Sequence, residues 1–191
     1  MTVEALATAA WLRRAETQAI FAALGGEAGQ TRAVGGVVRD TVLGRQRPNP
    51  DIDLATELLP EAVVARAASA GIASYPTGIA HGTVTLKLGD TLAEVTTLRR
   101  DVETDGRHAV VAFGTDWTMD ASRRDFTLNA LYCGPDGALF DPLGGIDDAL
   151  AGRVRFIGEA GARIAEDGLR VYRFFRFSAS HGGQRFDPDG L

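Results

Sequence analysis

The segment from Thr31 to Thr56 limits the fold most strongly, because three short elements follow one another with clear signals at their ends. "TRAVGG" predicts a buried strand that ends in a glycine turn, and "VVRDTVLG" predicts a short helix with a glycine stop. "DIDLAT" alternates strictly and predicts a second strand. Residues two apart on a strand face the same side, so Asp51 and Asp53 would lie about 6 to 7 Å apart on one face.

Two carboxylates at that spacing repel each other unless a positive charge lies between them. A divalent cation would remove the repulsion, and Mg²⁺ suits a site with few protein oxygens because it keeps water and substrate phosphates as further ligands. The alternative is a solvated turn, because "PNPDID" begins with turn residues and Asp51 would then simply end that turn.

The glycine pair before the helix adds a second chemical signal. Gly35 and Gly36 would let backbone N–H groups approach a phosphate at the start of the helix. Arg39, one turn further on, would reach the same phosphate. The alternative is an ordinary tight turn with a surface ion pair that involves Arg39 or Asp40. A glycine turn followed closely by two spaced aspartates is more specific than either feature alone, because it supplies a triphosphate cradle together with its metal.

The remaining patterns predict a mixture of helices and strands. "HGTVTLKLGDTLAEVTTL" predicts a β-hairpin around "GD", and "LPEAVVARAASAG" predicts a helix with proline near its start and glycine at its end. We expect single helices for "TVEALATAAWLRRAETQAIFAALGG", for "SRRDFTLNALYC" with Ser122 as N-cap, and for "GARIAEDGLRVYRFFRFSAS", and a short strand for "VRFIG". Residues 99–120 predict a long functional loop. The fold class is therefore α/β or α+β with a mixed sheet.

Composition excludes several classes of protein. The single cysteine, Cys133, excludes a disulfide framework and fits a reducing intracellular compartment. No apolar stretch approaches the roughly 18 to 20 residues of a membrane span, and the N-terminus lacks the pattern of a signal peptide, so we expect a cytoplasmic protein. The net charge of −5 argues against a general nucleic-acid binder. Of the 20 basic residues only Lys87 is a lysine, which reflects genomic base composition or a use of arginine for phosphates and bases.

Five motifs in a fixed order resemble the class II tRNA nucleotidyltransferases, the CCA-adding enzymes, which share their catalytic head with bacterial poly(A) polymerases. They are "GGVVRD…DIDLAT", "HGTVTLKLGDTLAEVTTLR", "RRDFTLNALY", "DPLGGIDDAL" and "EDGLRVYRFFRF", within residues 34–177. The resemblance implies an α+β fold, with a nucleotidyltransferase (DNA polymerase β-like) head and its mixed sheet at residues 1–140. It implies the start of a helical neck at residues 141–191, and we expect this neck to be truncated. "DPLGG" matches a proposed head–neck hinge.

The resemblance also implies roles for residues of the head. Asp51 and Asp53 match the metal-binding carboxylates, and Glu94 is the candidate third carboxylate, with a solvated hairpin charge as its alternative. The nucleotide-binding set in the head comprises Gly35, Gly36, Arg39, Arg124, Asp125 and Asn129. Within it, "RRDFTLNA" matches a ribose-recognition motif, whereas a capping box of Ser122 with Asp125 is the alternative.

In "EDGLRVYR", Asp167 and Arg170 match the family's base-reading pair. A carboxylate that accepts and a guanidinium that donates satisfy the Watson–Crick edges of both cytosine and adenine, whereas uracil and guanine reverse the order. A buried mismatch costs on the order of 1 to 3 kcal/mol per group. Arg173 and Arg176 continue the basic series and are expected to orient Asp167 and to bind phosphates. The alternative is a salt-bridged surface helix, which fits poorly with the aromatic residues between the arginines.

The predicted function is Mg²⁺-dependent addition of C and A from CTP and ATP to the 3′ end of tRNA, with release of pyrophosphate. Poly(A) polymerase is the alternative within the family, but residues 56–83 contain nothing like the "LIGRRFR" type of segment that bacterial poly(A) polymerases carry. An alternative of another class is a catalytically weak fragment that binds RNA or nucleotide. The sequence implies no membrane association and no obligate protein partner.

Overall fold

The computed structural model describes residues 2–100, 112–183 and 185–191. Its centre is a seven-stranded mixed sheet with the strand order β3-β4-β5-β2-β1-β8-β9. Within the sheet β2 and β5 run parallel, and the other neighbouring pairs are antiparallel. The strands are β1 (Thr31–Val34), β2 (Ile52–Thr56), β3 (Ala73–Gly78), β4 (Thr83–Leu88), β5 (Thr91–Thr97), β8 (Tyr132–Cys133) and β9 (Leu139–Phe140), with a separate ribbon of β6 (Arg99–Arg100) and β7 (Ala112–Phe113).

Eight α-helices are found in the described residues, and several pack on one face of the sheet. They are α1 (Ala10–Arg13), α2 (Ala15–Ala23), α3 (Gly36–Val42), α4 (Pro60–Ser69), α5 (Trp117–Ser122), α6 (Gly145–Ala151), α7 (Ala160–Glu166) and α8 (Leu169–His181). Helix α4 packs on β3, β4 and β5, and α2 packs on β4. Along β5, Ala93 and Val95 are buried while Leu92 and Glu94 are exposed. The β3-β4-β5 part of the sheet therefore has one covered face and one open face.

The predicted fold class is confirmed, and so are the elements with strong local signals. The β1–α3–β2 unit, helix α4 and the β4–β5 hairpin form where their patterns predicted them. Strand β3 was not predicted, because "ASYPTG" contains proline and glycine and lacks a clear alternation. It pairs with β4 with an irregularity between Tyr75 and Gly78.

The N-terminal segment was predicted as one helix, and this was wrong. It forms a 3-10 turn at Val3–Ala5, then α1, then α2. Arg14 between the two helices has ψ 136°, far from helical values. Its guanidinium donates to the carbonyl of Pro48 at 2.7 Å and to the side chain of Asn49 at 2.8 Å, so a tertiary contact accompanies the break.

The prediction of one helix over "SRRDFTLNALYC" was also wrong. Ser122 is the last residue of α5 rather than an N-cap, and Asp116 caps α5 instead by accepting from the N–H groups of Thr118 and Met119. Helix α5 begins inside the predicted loop of residues 99–120, whereas residues 101–111, including "DGRHA", lie outside the described residues. After α5 come a 3-10 turn at Thr127–Asn129 and strand β8.

Packing explains why this segment is not a helix. Every residue from Asp125 to Cys133 is buried, which a helix lying on one side of a core could not achieve. "VRFIG" forms no strand; its Phe156 makes an isolated bridge with Phe126, and the two rings pack 4.8 Å apart.

The predicted long C-terminal helix is divided into α7 and α8. Asp167 between them is extended, with φ −151° and ψ 104°, and its carboxylate accepts from the N–H of Leu169 at 2.9 Å. This short-range hydrogen bond occupies the N–H group of the first residue of α8. It accompanies the end of α7 at Asp167. Phe174 of α8 is buried in the same apolar core as the sheet residues Leu54 and Val95. The division into a head at residues 1–140 and a neck at 141–191 stays a proposal.

Candidate active site

Three carboxylates meet on the open face of the sheet. Asp51 directly precedes β2, and Asp53 lies within it, flanked by the buried side chains of Ile52 and Leu54. Those two apolar residues fix the strand's orientation, so Asp53 faces outward. Strand β5 lies parallel to β2 with Asp53 directly opposite Glu94. Glu94, which the resemblance suggested as a third carboxylate, therefore lies beside the predicted aspartate pair.

The electrostatics of this cluster are unfavourable without a cation. The pKa of Asp53 is raised from 3.8 to about 6. Partial burial of its carboxyl group is the largest cause, and the negative charges of Glu94 and Asp51 raise it further, while Arg124 acts in the opposite direction. No side-chain hydrogen bond or ion pair to Asp51, Asp53 or Glu94 is present within residues 2–100, 112–183 and 185–191. A divalent cation bound between the carboxylates would relieve this repulsion.

A cavity of about 180 Å³ joins the carboxylates to the glycine turn. Gly36, Asp51 and Asp53 line it together, as the sequence predicted. Gly35 has φ 74° and ψ −125°, a conformation that a residue with a side chain avoids, and its N–H donates to the carbonyl of Leu131 at 3.0 Å. The turn therefore brings the start of α3 beside the two aspartates.

Arg47 lines the same cavity, although it was not among the residues predicted for the site. It lies in "GRQRPNP" between α3 and β2, a stretch that was interpreted only as a turn. The available signal was its position between the two elements that carry the glycine turn and the aspartates. The guanidinium of Arg47 adds a positive charge to a cavity that is also lined by the carboxylates of Asp40, Asp51 and Asp53.

Arg39 is placed differently from the prediction. It is buried, donates to Asp40 at 2.8 Å and to the side-chain oxygen of Asn129, and lies over the ring of Phe177 at 5.2 Å. It is not among the residues that line the cavity. In this structure Arg39 therefore connects α3 to the turn at Asn129 and to α8.

Asp125 and Asn129 are neighbours as predicted, but a 3-10 turn takes the place of the predicted helix. The amide of Asn129 donates to one oxygen of Asp125 at 3.1 Å across the 3-10 turn. The backbone N–H of Phe126 donates to the same oxygen at 2.8 Å. Arg173 of α8 binds the other oxygen, with Nε at 2.7 Å and Nη2 at 2.6 Å. Arg173 thus pairs with Asp125 and not with Asp167, which corrects its expected role.

Arg124 belongs to a second buried cluster. It donates to the hydroxyl of Tyr132 at 3.1 Å and to Asp120 at 3.2 Å, while Arg123 donates to the other oxygen of Asp120. Burial alone would raise the pKa of Asp120, but Arg124 and Arg123 outweigh it and lower that pKa. Asp120 therefore holds Arg124 close enough to Asp53 for the arginine's positive charge to lower the pKa of that aspartate.

Asp167 and Arg170 are close in sequence, but they do not form the predicted helical pair. Asp167 is exposed in the break before α8. Arg170 donates to Glu166 at 2.7 Å and to the carbonyl of Arg163 at 2.8 Å. Arg176 is exposed and lies over the ring of Phe177 at 5.2 Å. Asp167 and Arg170 therefore lie at the start of α8 and Arg176 lies near its middle, and no side-chain hydrogen bond joins any two of them in the part of the chain that the structure describes.

The described residues contain neither a preformed metal cage nor a membrane-spanning helix. No group of three or more His, Cys, Asp or Glu side chains in residues 2–100, 112–183 and 185–191 converges as a ready-made metal cage. Over the same residues no helix has both the length and the apolar character needed to cross a bilayer. Asp51 and Asp53, with Glu94 on the neighbouring strand, offer carboxylate oxygens, the ligand type that Mg²⁺ prefers.

Comparisons with known proteins identify the family of the chain. The family model described as the poly A polymerase head domain matches residues 31–155. The mitochondrial CCA tRNA nucleotidyltransferase 1 of Danio rerio is 48% identical over 166 residues, which is 85% of this chain and 38% of that protein. The chain therefore spans about two fifths of that relative's length.

Solved structures show the same fold. The CCA-adding enzyme of Bacillus stearothermophilus in complex with CTP superposes with a TM-score of 0.76 at 34% identity, over 93% of this chain and 42% of that one. A tRNA nucleotidyltransferase complexed with a primer tRNA and an incoming ATP analog superposes with a TM-score of 0.65 at 28% identity, over 86% and 45%. From the family match and the fold together, the chain belongs to the poly A polymerase head domain family.

Proposed function

We propose that this protein transfers C and A residues from CTP and ATP to the 3′ end of tRNA, with Mg²⁺ as its cofactor. The observation that carries the proposal is that Asp51 and Asp53 line the same cavity as Gly36 of the glycine turn, while Glu94 lies opposite Asp53 on the neighbouring strand. The named relatives support the choice of tRNA, and the two nucleotide complexes among the solved structures support CTP and ATP.

The reaction is an in-line displacement. The 3′ oxygen of the RNA forms a bond to the α-phosphorus, the bond from that phosphorus to the bridging oxygen breaks, and pyrophosphate leaves. Bound Mg²⁺ would activate the attacking hydroxyl and stabilise the charge on the leaving oxygen. Asp51 and Asp53 would hold the cation, Gly36 and Arg47 would face the leaving phosphates, and no covalent enzyme intermediate is needed.

Base selection is assigned to Asp167 and Arg170. Asp167 accepts from the exocyclic amine of cytosine or adenine, and Arg170 donates to the adjacent ring nitrogen. Arg170 must first release its hydrogen bond to Glu166 before it can donate to the base. Asp167 is exposed, so its carboxylate is accessible to the same base. Asp125 and Arg124 are assigned to the ribose, and Arg39 and Asn129 position Asp125 through their hydrogen bonds.

The test is incorporation of single nucleotides. Purified protein is incubated with Mg²⁺, a tRNA that lacks its terminal CCA, and one labelled nucleoside triphosphate at a time. We expect incorporation from CTP, and from ATP once the two C residues are present, with none from UTP or GTP. Long adenosine tails would assign the protein as a poly(A) polymerase, and RNA binding without any incorporation would make it a binding protein. The cytoplasmic location stays a prediction, since relatives from three species are named as mitochondrial.

A further inference from the structure

A row of side chains leads away from the carboxylates across the open face of the sheet. Asp53 on β2 lies opposite Glu94 on β5, Glu94 opposite Thr85 on β4, and Thr85 opposite Tyr75 on β3. Residues paired in register point to the same side of a sheet. Tyr75, at the far end, is 48% exposed, so the row ends in an accessible aromatic ring.

Positive charge lies on both sides of this row. On one side, Lys87 is exposed, next to Leu92, its partner across the hairpin. It is the only lysine of the chain. On the other side, Arg99 donates to the hydroxyl of Thr83 at 3.4 Å, two residues before Thr85 on β4. A strand of phosphodiesters crossing the row would meet a cation on either flank.

The direction of the reaction decides what this surface faces. The glycine turn of α3 and Arg47 place the leaving phosphates on the α3 side of Asp53. In an in-line displacement the attacking oxygen approaches from the opposite side. Helix α3 packs on β1 and β2, and β5 with Glu94 borders β2 on the side away from β1, with β4 and β3 beyond it. This step rests on the proposed function, because it needs a triphosphate in the cavity.

We propose that the open face of β5, β4 and β3 binds the last nucleotides of the acceptor RNA. The 3′-hydroxyl lies at Glu94, a base preceding it stacks on Tyr75, and Lys87 and Arg99 face the phosphates. From β2 to β3 there are three strand spacings, or about 14 Å, the length of a short single-stranded end. Stacking on an aromatic ring with a nearby cation is how proteins hold single strands without choosing their sequence.

An added protein strand fits this surface less well. Such a strand would pair with the free edge of β3, whereas the exposed row lies on the face of the sheet, where the backbone is already bonded. The face also has mixed polar character, with a tyrosine, a lysine and threonines, and it is continuous with the carboxylates. Both features fit an RNA end that must reach the reacting phosphate.

The experiment measures RNA binding separately from transfer. A short RNA stem with a single-stranded 3′ end, labelled at its 5′ end, is titrated with protein and followed by fluorescence anisotropy. Tyr75→Ala should raise the Kd for RNA about tenfold, in the range typical for the loss of one stacked base. Lys87→Ala should raise it several-fold and flatten its dependence on salt by about the slope of one phosphate contact. Tyr75→Phe and Lys87→Arg should bind like the wild type, and so should Arg66→Ala on α4.

Transfer assays with the same variants separate this surface from the nucleotide cavity. The KM for CTP should change less than about twofold in Tyr75→Ala and Lys87→Ala. An unchanged Kd for RNA in both variants overturns the proposal, and so does a KM for CTP that rises as much as the Kd. Binding of a protein fragment that competes with RNA and is lost in the same variants would assign the face to a protein. If the wild type binds RNA at this face but transfers neither C nor A, the proposed function fails and the surface stands.

Discussion

Carboxylates in two regions of this molecule have opposite surroundings. On the open face, no donor within the described residues binds the side chains of Asp51, Asp53 or Glu94. In the interior, Asp120 and Asp125 each accept several hydrogen bonds from arginine, tyrosine, asparagine or backbone groups. The pKa of Asp53 is raised to about 6, whereas that of Asp120 is lowered.

This difference distinguishes carboxylates that stabilise the fold from carboxylates that are available to bind a ligand. Buried polar groups in native proteins are normally hydrogen-bonded, so the interior aspartates need no ligand to explain them. A group of accessible carboxylates without an internal partner is a functional-site candidate when one of them, here Asp53, has a perturbed pKa. Asp148 follows the interior pattern, since it accepts from Thr127 at 2.6 Å and from Arg155 at 2.9 Å.

The largest expected effect is on activity at the open face. Asp53→Asn keeps the shape of the side chain but removes the metal-binding charge, so we expect nucleotide transfer to fall by about 10³-fold or more. The circular dichroism spectrum should be unchanged, and the Tm should not be lower than that of the wild type. Asp90→Asn, an exposed acid in the turn of the β4–β5 hairpin, is the matched control and should keep full activity. Transfer by Asp53→Asn within tenfold of the wild type would remove the metal hypothesis.

The second effect is on stability in the interior. Asp120→Ala leaves Arg123, Arg124 and the hydroxyl of Tyr132 without their shared acceptor, and removal of one partner from a buried ion pair costs about 3 to 5 kcal/mol. We therefore expect the Tm to fall by about 6 to 20 °C, since 1 kcal/mol corresponds to about 2 to 4 °C for a chain of this size. Thermal melts at pH 7 measure it. A change as small as that of Asp90→Ala would contradict the architectural role.

The third effect is a pH dependence of stability at Asp53. Its folded pKa of about 6 lies above the ordinary 3.8, so the folded state binds more protons between these values and loses stability as pH rises through that window. Asp53→Asn removes this loss. Because the carboxylate is solvent-accessible, we expect the variant's advantage over the wild type to grow by only about 1 kcal/mol from pH 4 to pH 7. Melts across this range without divalent cations measure it, and parallel profiles for both proteins would contradict the electrostatic account.

The smallest effect compares two arginines on α8. Arg173 binds Asp125, whereas Arg176 makes only a ring contact with Phe177 among the described residues. Because the Arg173 pair is partly exposed, we expect Arg173→Ala to lower the free energy of unfolding by about 1 kcal/mol and Arg176→Ala by less than about 0.5 kcal/mol. Urea unfolding measures both. Equal losses would mean that the bond to Asp125 contributes nothing to stability.

The sequence predicted those parts of the molecule that short-range signals determine. Glycines at turns and the alternation of "DIDLAT" and of the hairpin are local, so β1, α3, β2, β4 and β5 were expected. The aspartate pair followed from the period of a strand. The facing of Asp53 and Glu94 was only a candidate, because it needs β5 to lie beside β2, which no local pattern specifies.

The failures lie where contacts distant in sequence decide the structure. Arg39 binds Asn129, which is 90 positions away, and this contact removes Arg39 from the cavity where it was expected. "RRDFTLNA" has a helical pattern, but its burial on several sides overrides that preference. The break at Asp167 depends on one side chain that captures the N–H of Leu169, and helical spacing cannot reveal it.

The central claim is that the open carboxylates hold a divalent cation together with the triphosphate. Isothermal titration of Mg²⁺–CTP into the protein tests it most directly, with a non-hydrolysable CTP analogue to prevent turnover. We expect the wild type to bind the complex at least tenfold more tightly than Asp53→Asn, and to lose that advantage when Mg²⁺ is replaced by EDTA. Equal affinity of the two proteins in the presence of Mg²⁺ would contradict the account.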